Sequence, residues 1–173
     1  MDAIVEILKI VLPAGLVIYG MYIIAVSFLK SERDKKLITL KTKNTETILP
    51  IRLQAAERLC LLLERITPSN LIRRVNTQNY SAKELHQLLL SEVREEFNHN
   101  LSQQIYFSEE TWDSVKSAIE QVISMINRAS QDLNDEARGI DLNKRVFQLF
   151  LERKNDTIAL ALKKIKSEIR IFF

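Results

Sequence analysis

The sequence predicts an all-α protein: one N-terminal transmembrane helix followed by a cytoplasmic multi-helix bundle. Three observations predict it. Ile10 to Leu29 (IVLPAGLVIYGMYIIAVSFL) is a run of twenty positions without a charged side chain, about 30 Å as a helix, which matches a bilayer core. From residue 50 onward, apolar residues recur at spacings of three and four, the period of amphipathic helices. Helix-start signatures punctuate that pattern, above all Ser81-Ala82-Lys83-Glu84, an S-x-x-E capping box. Residues 38–43 alternate as a short strand would, but nothing nearby would pair with them.

The N-terminal apolar run does not look like a cleaved signal peptide. Its leading segment MDAIVEILK sets Asp2 and Glu6 against Lys9, no small-x-small site follows, and the run is too long. Pro13 is expected in the first helical turn, where a missing N–H costs little. Lys30, Arg33, Lys35 and Lys36 follow the span while only Lys9 precedes it. By the positive-inside rule the N-terminus is then outside and the bulk of the chain cytoplasmic, a compartment that suits one reduced thiol, Cys60. Tyr19 and Tyr22 sit near mid-membrane, on one helix face with Gly15 and Val26. Each phenol wants a hydrogen-bond partner in hydrocarbon. Either this face packs against another membrane helix, or each hydroxyl bonds its own backbone or snorkels.

Residues 30–49 are polar and of mixed charge and are read as a linker. The bundle, residues 50–173, opens with a helix from Pro50 to Ile66, stopped by Thr67-Pro68. Its apolar positions, from Ile51 through Leu59 and Leu63 to Ile66, cover about half the circumference, so it is expected to be the central helix. Leu61 falls in its polar face and Arg52 in its apolar one. Those two exceptions indicate a helix wrapped on several sides or a partner contact. A short helix over SNLIRRV follows, with Ser69 as its cap, and a loop over 76–80. The capping box opens a helix to Asn100, with Leu85, Leu88, Leu89, Val93 and Phe97 inward. In the connector QQIYF, Ile105 or Phe107 is expected to tuck under its neighbours. Ser108 caps the clearest helix, Glu109 to Leu133, whose apolar row runs from Trp112 through Ile119 and Ile126 to Leu133. Gly139 breaks the pattern and Asp141 caps a helix to Lys154. Asn155 or Asp156 caps the last, with Ile158, Ala161, Leu162, Ile165, Ile169 and Phe172 inward.

Several chemistries are excluded or disfavoured. One cysteine rules out a disulfide framework and a multi-cysteine zinc site. With three glycines, neither phosphate-loop nor dinucleotide-binding pattern occurs, and G-x-S-x-G is absent. Cys60, set among leucines, reads as a small buried hydrophobe. Basic clusters at Arg73-Arg74 and Lys163-Lys164 are not interleaved with stacking aromatics, so no nucleic-acid partner is expected. Nor is a small-molecule substrate or a cofactor evident. The sharpest candidate constellation is Glu92, Glu96 and His99, in which Glu96-Phe97-Asn98-His99 reads E-x-x-H. Carboxylate-bridged metal sites in bundles use that spacing, but they need two such motifs and further carboxylates. The only other histidine, His86, follows Lys83. The competing expectation pairs these carboxylates with arginines of the 52–74 segment.

The plan of a short outer N-terminus, one span and cytoplasmic helices resembles the peripheral-stalk b subunit of bacterial ATP synthase, but Pro50, Pro68 and Gly139 require a folded bundle. The runs RLQAAERL with LLLERI, and EFNHNLSQQIY, resemble an uncharacterised bacterial family of short single-span membrane proteins, a domain of unknown function. That resemblance extends over most of the chain, implies fold and anchoring, and carries over no catalytic residue; the expected location is the bacterial plasma (inner) membrane. The expected role is a membrane-anchored adaptor or accessory subunit that meets a protein partner through Tyr19, Tyr22, Leu61 and Arg65. The alternatives are a metal-dependent enzyme using Glu92, Glu96 and His99, and a homo-oligomeric scaffold joined through the 51–66 face.

Overall fold

A computed structural model describes residues 2–75, 80–134, 136–153 and 155–171, with side chains described at all of these but 2–14, 34 and 37–45. Among the described residues there are six α-helices, one 3-10 turn and no strand: α1 (Asp2–Ile66), α2 (Pro68–Arg74), α3 (Ala82–Asn100), the 3-10 turn Leu101–Tyr106, α4 (Glu109–Gln131), α5 (Gly139–Glu152) and α6 (Thr157–Arg170). The all-helical class therefore holds. Two compact units divide the chain, Met1–Ile48 and Leu49–Phe173.

Met1–Ile48 is helical throughout its described residues. Within it Gly15–Arg33 is long and apolar enough to cross a membrane, and none of that segment is buried. The helix runs on through residues 30–49, including the strand-like stretch 38–43, whose side chains lie outside the described ones. Pro13 and Pro50 consequently lie inside α1 rather than in first turns. Each leaves one carbonyl four residues earlier without its helical partner. Pro50 falls next to the division between the two units.

Leu49–Phe173 holds a single core contributed by all six helices, from Leu59 and Leu63 of α1 to Ile165 of α6. Helix α4 packs against α3, α5 and α6, which gives it the central place that sequence assigned to residues 50–66. Those residues are one-sided instead. Leu59, Leu62, Leu63 and Ile66 are buried, while Ile51 and Leu61 are 43% and 54% exposed. The helix is thus not wrapped on several sides, and most of its wide apolar face is buried inside the chain's own bundle. Arg52 lies in that face because Glu168 of α6 comes to meet it, Nη2 to Oε1 at 3.1 Å.

Local signals predicted most helix starts. Ser81 accepts from the Glu84 N–H at 3.2 Å while its own N–H donates to Glu84 Oε2 at 2.9 Å. Those two bonds complete the capping box, and the Glu84 carboxyl is held below its usual range by the Ser81 N–H first and by the Ser81 hydroxyl, which donates to Oε2 at 2.8 Å, second. Ser108 accepts from the Thr111 N–H, and Asp156 from the Ala159 N–H. Two starts differ. Helix α2 is capped from Thr67, with Pro68 as its first residue, so Ser69 is already helical. Helix α5 begins at Gly139, and Asp141 acts from its third position by accepting from the Arg138 N–H at 3.2 Å. The cause is tertiary. An isolated bridge joins Ser81 to Arg138, with the Ala82 N–H donating to the Ala137 carbonyl and the Gly139 N–H to the Tyr80 carbonyl, both at 2.9 Å. That bridge holds Arg138 extended and lets the helix start immediately after it. In the connector, Phe107 packs against the core and Ile105 stays 74% exposed. Phe172 lies outside the described residues.

Candidate functional site

Residues of α1 and the end of α2 face α3 across an open groove of about 530 Å³. Sequence dictates its polarity. Arg58, Leu61 and Arg65 stand on successive turns of α1, Arg74 ends α2, and Glu92, Glu96 and His99 stand on successive turns of α3. The carboxylates are turned to guanidinium groups. Glu96 Oε1 accepts from Arg65 Nη2 at 2.7 Å and from Arg74 Nη1 at 3.1 Å, and Glu92 Oε2 accepts from Arg74 Nη2 at 3.0 Å. Glu96 is the most enclosed member, and a planar guanidinium divided between two carboxylates orients both.

The structure thus gathers five residues singled out from sequence, Leu61, Arg65, Glu92, Glu96 and His99, into one groove. Among the described residues, no group of three or more His, Cys, Asp or Glu side chains is placed to hold a metal ion. His86 is elsewhere, its Nε2 2.8 Å from Asn127 Oδ1 on α4. Cys60 is half-buried, and burial pushes its thiol above the ordinary range, against a smaller opposing effect of Lys166. A raised thiol pKa is the reverse of what an activated nucleophile needs. The groove therefore carries a balanced ionic lattice with one exposed leucine at its edge. Surfaces of that kind suit docking, with charge setting register and the apolar residue supplying contact area.

Tyr19 and Tyr22 belong to the other unit. Both are exposed there, and the space beside Gly15 and Gly20 is open: a Cβ at either would meet no atom within 4 Å.

Sequence reasoning missed a second surface. Between α2 and α5 lies a largely apolar groove of about 540 Å³, lined by Ile72 and Phe147 and rimmed by Arg73 and Lys144. The missed signal was a second apolar row in α5. Leu142, Val146 and Leu149 point inward as expected, while Ile140, Phe147 and Leu151 form an exposed row on the opposite side.

A family model described as Family of unknown function (DUF7935) matches residues 2–172. No curated protein and no solved structure matches the chain.

Proposed function

The chain belongs to DUF7935, a family of unknown function, and from that premise we propose that it is a non-catalytic, membrane-anchored adaptor or accessory subunit of a membrane protein complex. One observation carries the proposal. Gly15–Arg33 presents an apolar surface none of which is buried, and a surface of that size is stable only in lipid or against another protein. The span is residues 10–29, with the N-terminus outside and residues 50–173 in the cytoplasm of a bacterial cell, because Lys30, Arg33, Lys35 and Lys36 follow it. The bundle supports the adaptor role through what its ionisable groups do. In the α1–α3 groove, Glu92, Glu96, Arg65 and Arg74 neutralise one another. Leu61 and Arg65 are the contact residues there, and Tyr19 and Tyr22 those of the span.

The test is purification of the full-length chain from its native host in mild detergent at native expression level. The chain is expected to stay in the membrane pellet through an alkaline carbonate wash and to elute with one stoichiometric partner. Leu61→Glu with Arg65→Glu should cut that partner's recovery at least several-fold. Tyr19→Phe with Tyr22→Phe should also lower it, by less. Release by carbonate overturns the anchor, and elution without a partner overturns the adaptor role.

A further inference from the structure

The α2–α5 groove carries a charge that its own chain leaves unanswered. Ile72 and Phe147 make its apolar lining, with Arg73 and Lys144 at the rim, and no Asp or Glu lines it. Among the described residues neither cation makes an ion pair. Arg73 donates to a neutral acceptor, Asn70 Oδ1, at 3.3 Å. A concave surface lined by one sign of charge concentrates its field and favours an anion. Asn143, which also lines the groove, is a second and independent observation. Its Oδ1 is buried without a hydrogen-bond partner among the described residues, a costly condition for an acceptor. A carboxamide holds an acceptor beside two donors, the complement of a main-chain N–H and C=O. Its terminal torsion is soft, so a turn of the amide brings the oxygen to the groove.

We propose that this groove binds a short acidic segment of a partner protein in an extended conformation. One apolar side chain of the segment packs on Ile72 and Phe147, its flanking carboxylates pair with Arg73 and Lys144, and its main chain hydrogen-bonds the Asn143 carboxamide. The three features select the occupant together. Charge complementarity requires acid at the rim, since a basic or neutral segment would leave both cations unanswered. The apolar lining requires a side chain rather than a bare anion. The unmet carboxamide requires a donor among the atoms that close the groove. An extended peptide has main-chain N–H groups to give, whereas a helix spends most of its own internally. An acyl chain with an anionic head would match the rim and the lining, but would seal the Asn143 oxygen away without a donor. A groove of about 540 Å³ lies within the range of about 300–1,000 Å³ usual for ligand sites, room for a few residues rather than a folded surface. The site lies apart from the α1–α3 groove and does not depend on the anchor.

Fluorescence anisotropy with the full-length chain in non-ionic detergent tests the site. The probes are a panel of labelled, end-blocked pentapeptides with leucine, isoleucine or phenylalanine between paired glutamates. At least one should bind saturably, and more weakly as salt is added. Exchanging its glutamates for glutamines, or its central residue for glycine, should each weaken binding about tenfold or more. Arg73→Glu with Lys144→Glu should abolish binding while the thermal melt is kept, since both side chains are exposed. Asn143→Ala should weaken it several-fold. Leu61→Glu with Arg65→Glu, in the α1–α3 groove, should leave it unchanged. No saturable binding by any peptide of the panel overturns the proposal. Saturable binding of dodecanoate in their place, lost in the Arg73→Glu, Lys144→Glu chain, assigns the groove to a lipid amphiphile instead. Peptide binding that survives that double substitution also overturns the proposal, because it lies elsewhere. Unchanged affinity in Asn143→Ala overturns the main-chain contact. The chain is soluble in detergent whether or not it is anchored, so carbonate release counts against the anchor alone and absent peptide binding against this site alone.

Discussion

Gly15–Arg33 and the bundle Leu49–Phe173 use the same residue types and treat them in opposite ways. Leu16, Ile18, Ile23 and Ile24 are all exposed, whereas Leu59, Leu85, Val93 and Ile126 are fully buried. Composition cannot account for the contrast. In the bundle each helix carries apolar residues along one face and polar residues along the other, so one face can be covered by a neighbour while the other stays in water. In Gly15–Arg33 apolar residues occupy every face, and none of that segment is buried. The comparison teaches that the pattern, rather than the amount, of apolar residues decides whether a helix belongs to a core or needs a different solvent.

Charging the apolar cylinder breaks the comparison most strongly. Ile23→Lys with Ile24→Lys replaces two favourable residues near the centre of the span by two unfavourable ones, together about 6 kcal/mol against insertion. Carbonate fractionation should then find the chain in the supernatant. The bundle's cooperative melting should be unchanged, since neither residue lies in the Leu49–Phe173 unit.

Leu85→Ala is the converse experiment. Leu85 is fully buried in α3, and removing it costs the transfer energy plus the cavity left behind, about 2–5 kcal/mol. Thermal or urea unfolding of the full-length chain in detergent should show the loss, with membrane association intact.

Glu168 gives a smaller, pH-dependent effect within the bundle. Its Oε1 accepts from Arg52 Nη2 at 3.1 Å and from the Ser108 N–H at 3.0 Å, and its Oε2 from Ser108 Oγ at 2.8 Å. Partial burial pushes the carboxyl up, but hydrogen bonds from Thr111 and Ser108 together with Arg52 outweigh it, and the net pKa lies below the ordinary 4.5. The unfolded chain therefore takes up this proton first as the pH falls. The contribution to stability is complete above the ordinary carboxylate range and is lost as acid titrates the folded group. Glu168→Gln should flatten the acid limb of a stability–pH curve and leave the slope near neutrality unchanged.

Breaking the ionic lattice of the groove is expected to cost least. Arg74 links Glu92 and Glu96 but is one-third exposed, so Arg74→Ala should change stability by no more than about 1 kcal/mol, less at high salt. A larger loss would make the groove a structural element rather than a docking surface.

Legibility in the sequence followed the range of the interaction. The Ser81 capping box spans four residues and could be read directly, as could the caps at Ser108 and Asp156. The inward row of α4 was legible because one row of apolar residues on a long helix admits one orientation. The start of α5 was not, because Gly139 reads as a breaker and only the bridge to Tyr80 and Ser81 shows why the helix begins there. Arg52 looked anomalous because its partner, Glu168, lies 116 positions away. Of the candidate site, the identity of Glu92, Glu96 and His99 was visible from helical spacing. Their pairing with arginines of the 52–74 segment was one of two expectations, and the fold supplies it at Arg65 and Arg74.

By itself, the sequence determined the helical class, the starts of α3, α4 and α6 and the existence of an apolar segment long enough to cross a membrane. These properties depend on contacts within one helix turn and on periodicity, and both are written in consecutive residues. Only the tertiary structure decided which helix is central, that Leu61 faces outward, that Arg65 and Arg74 are the arginines the groove's carboxylates meet and that α5 keeps a second apolar row uncovered. Each of those depends on which faces remain after distant helices have packed, and burial is a property of the whole arrangement rather than of any one segment.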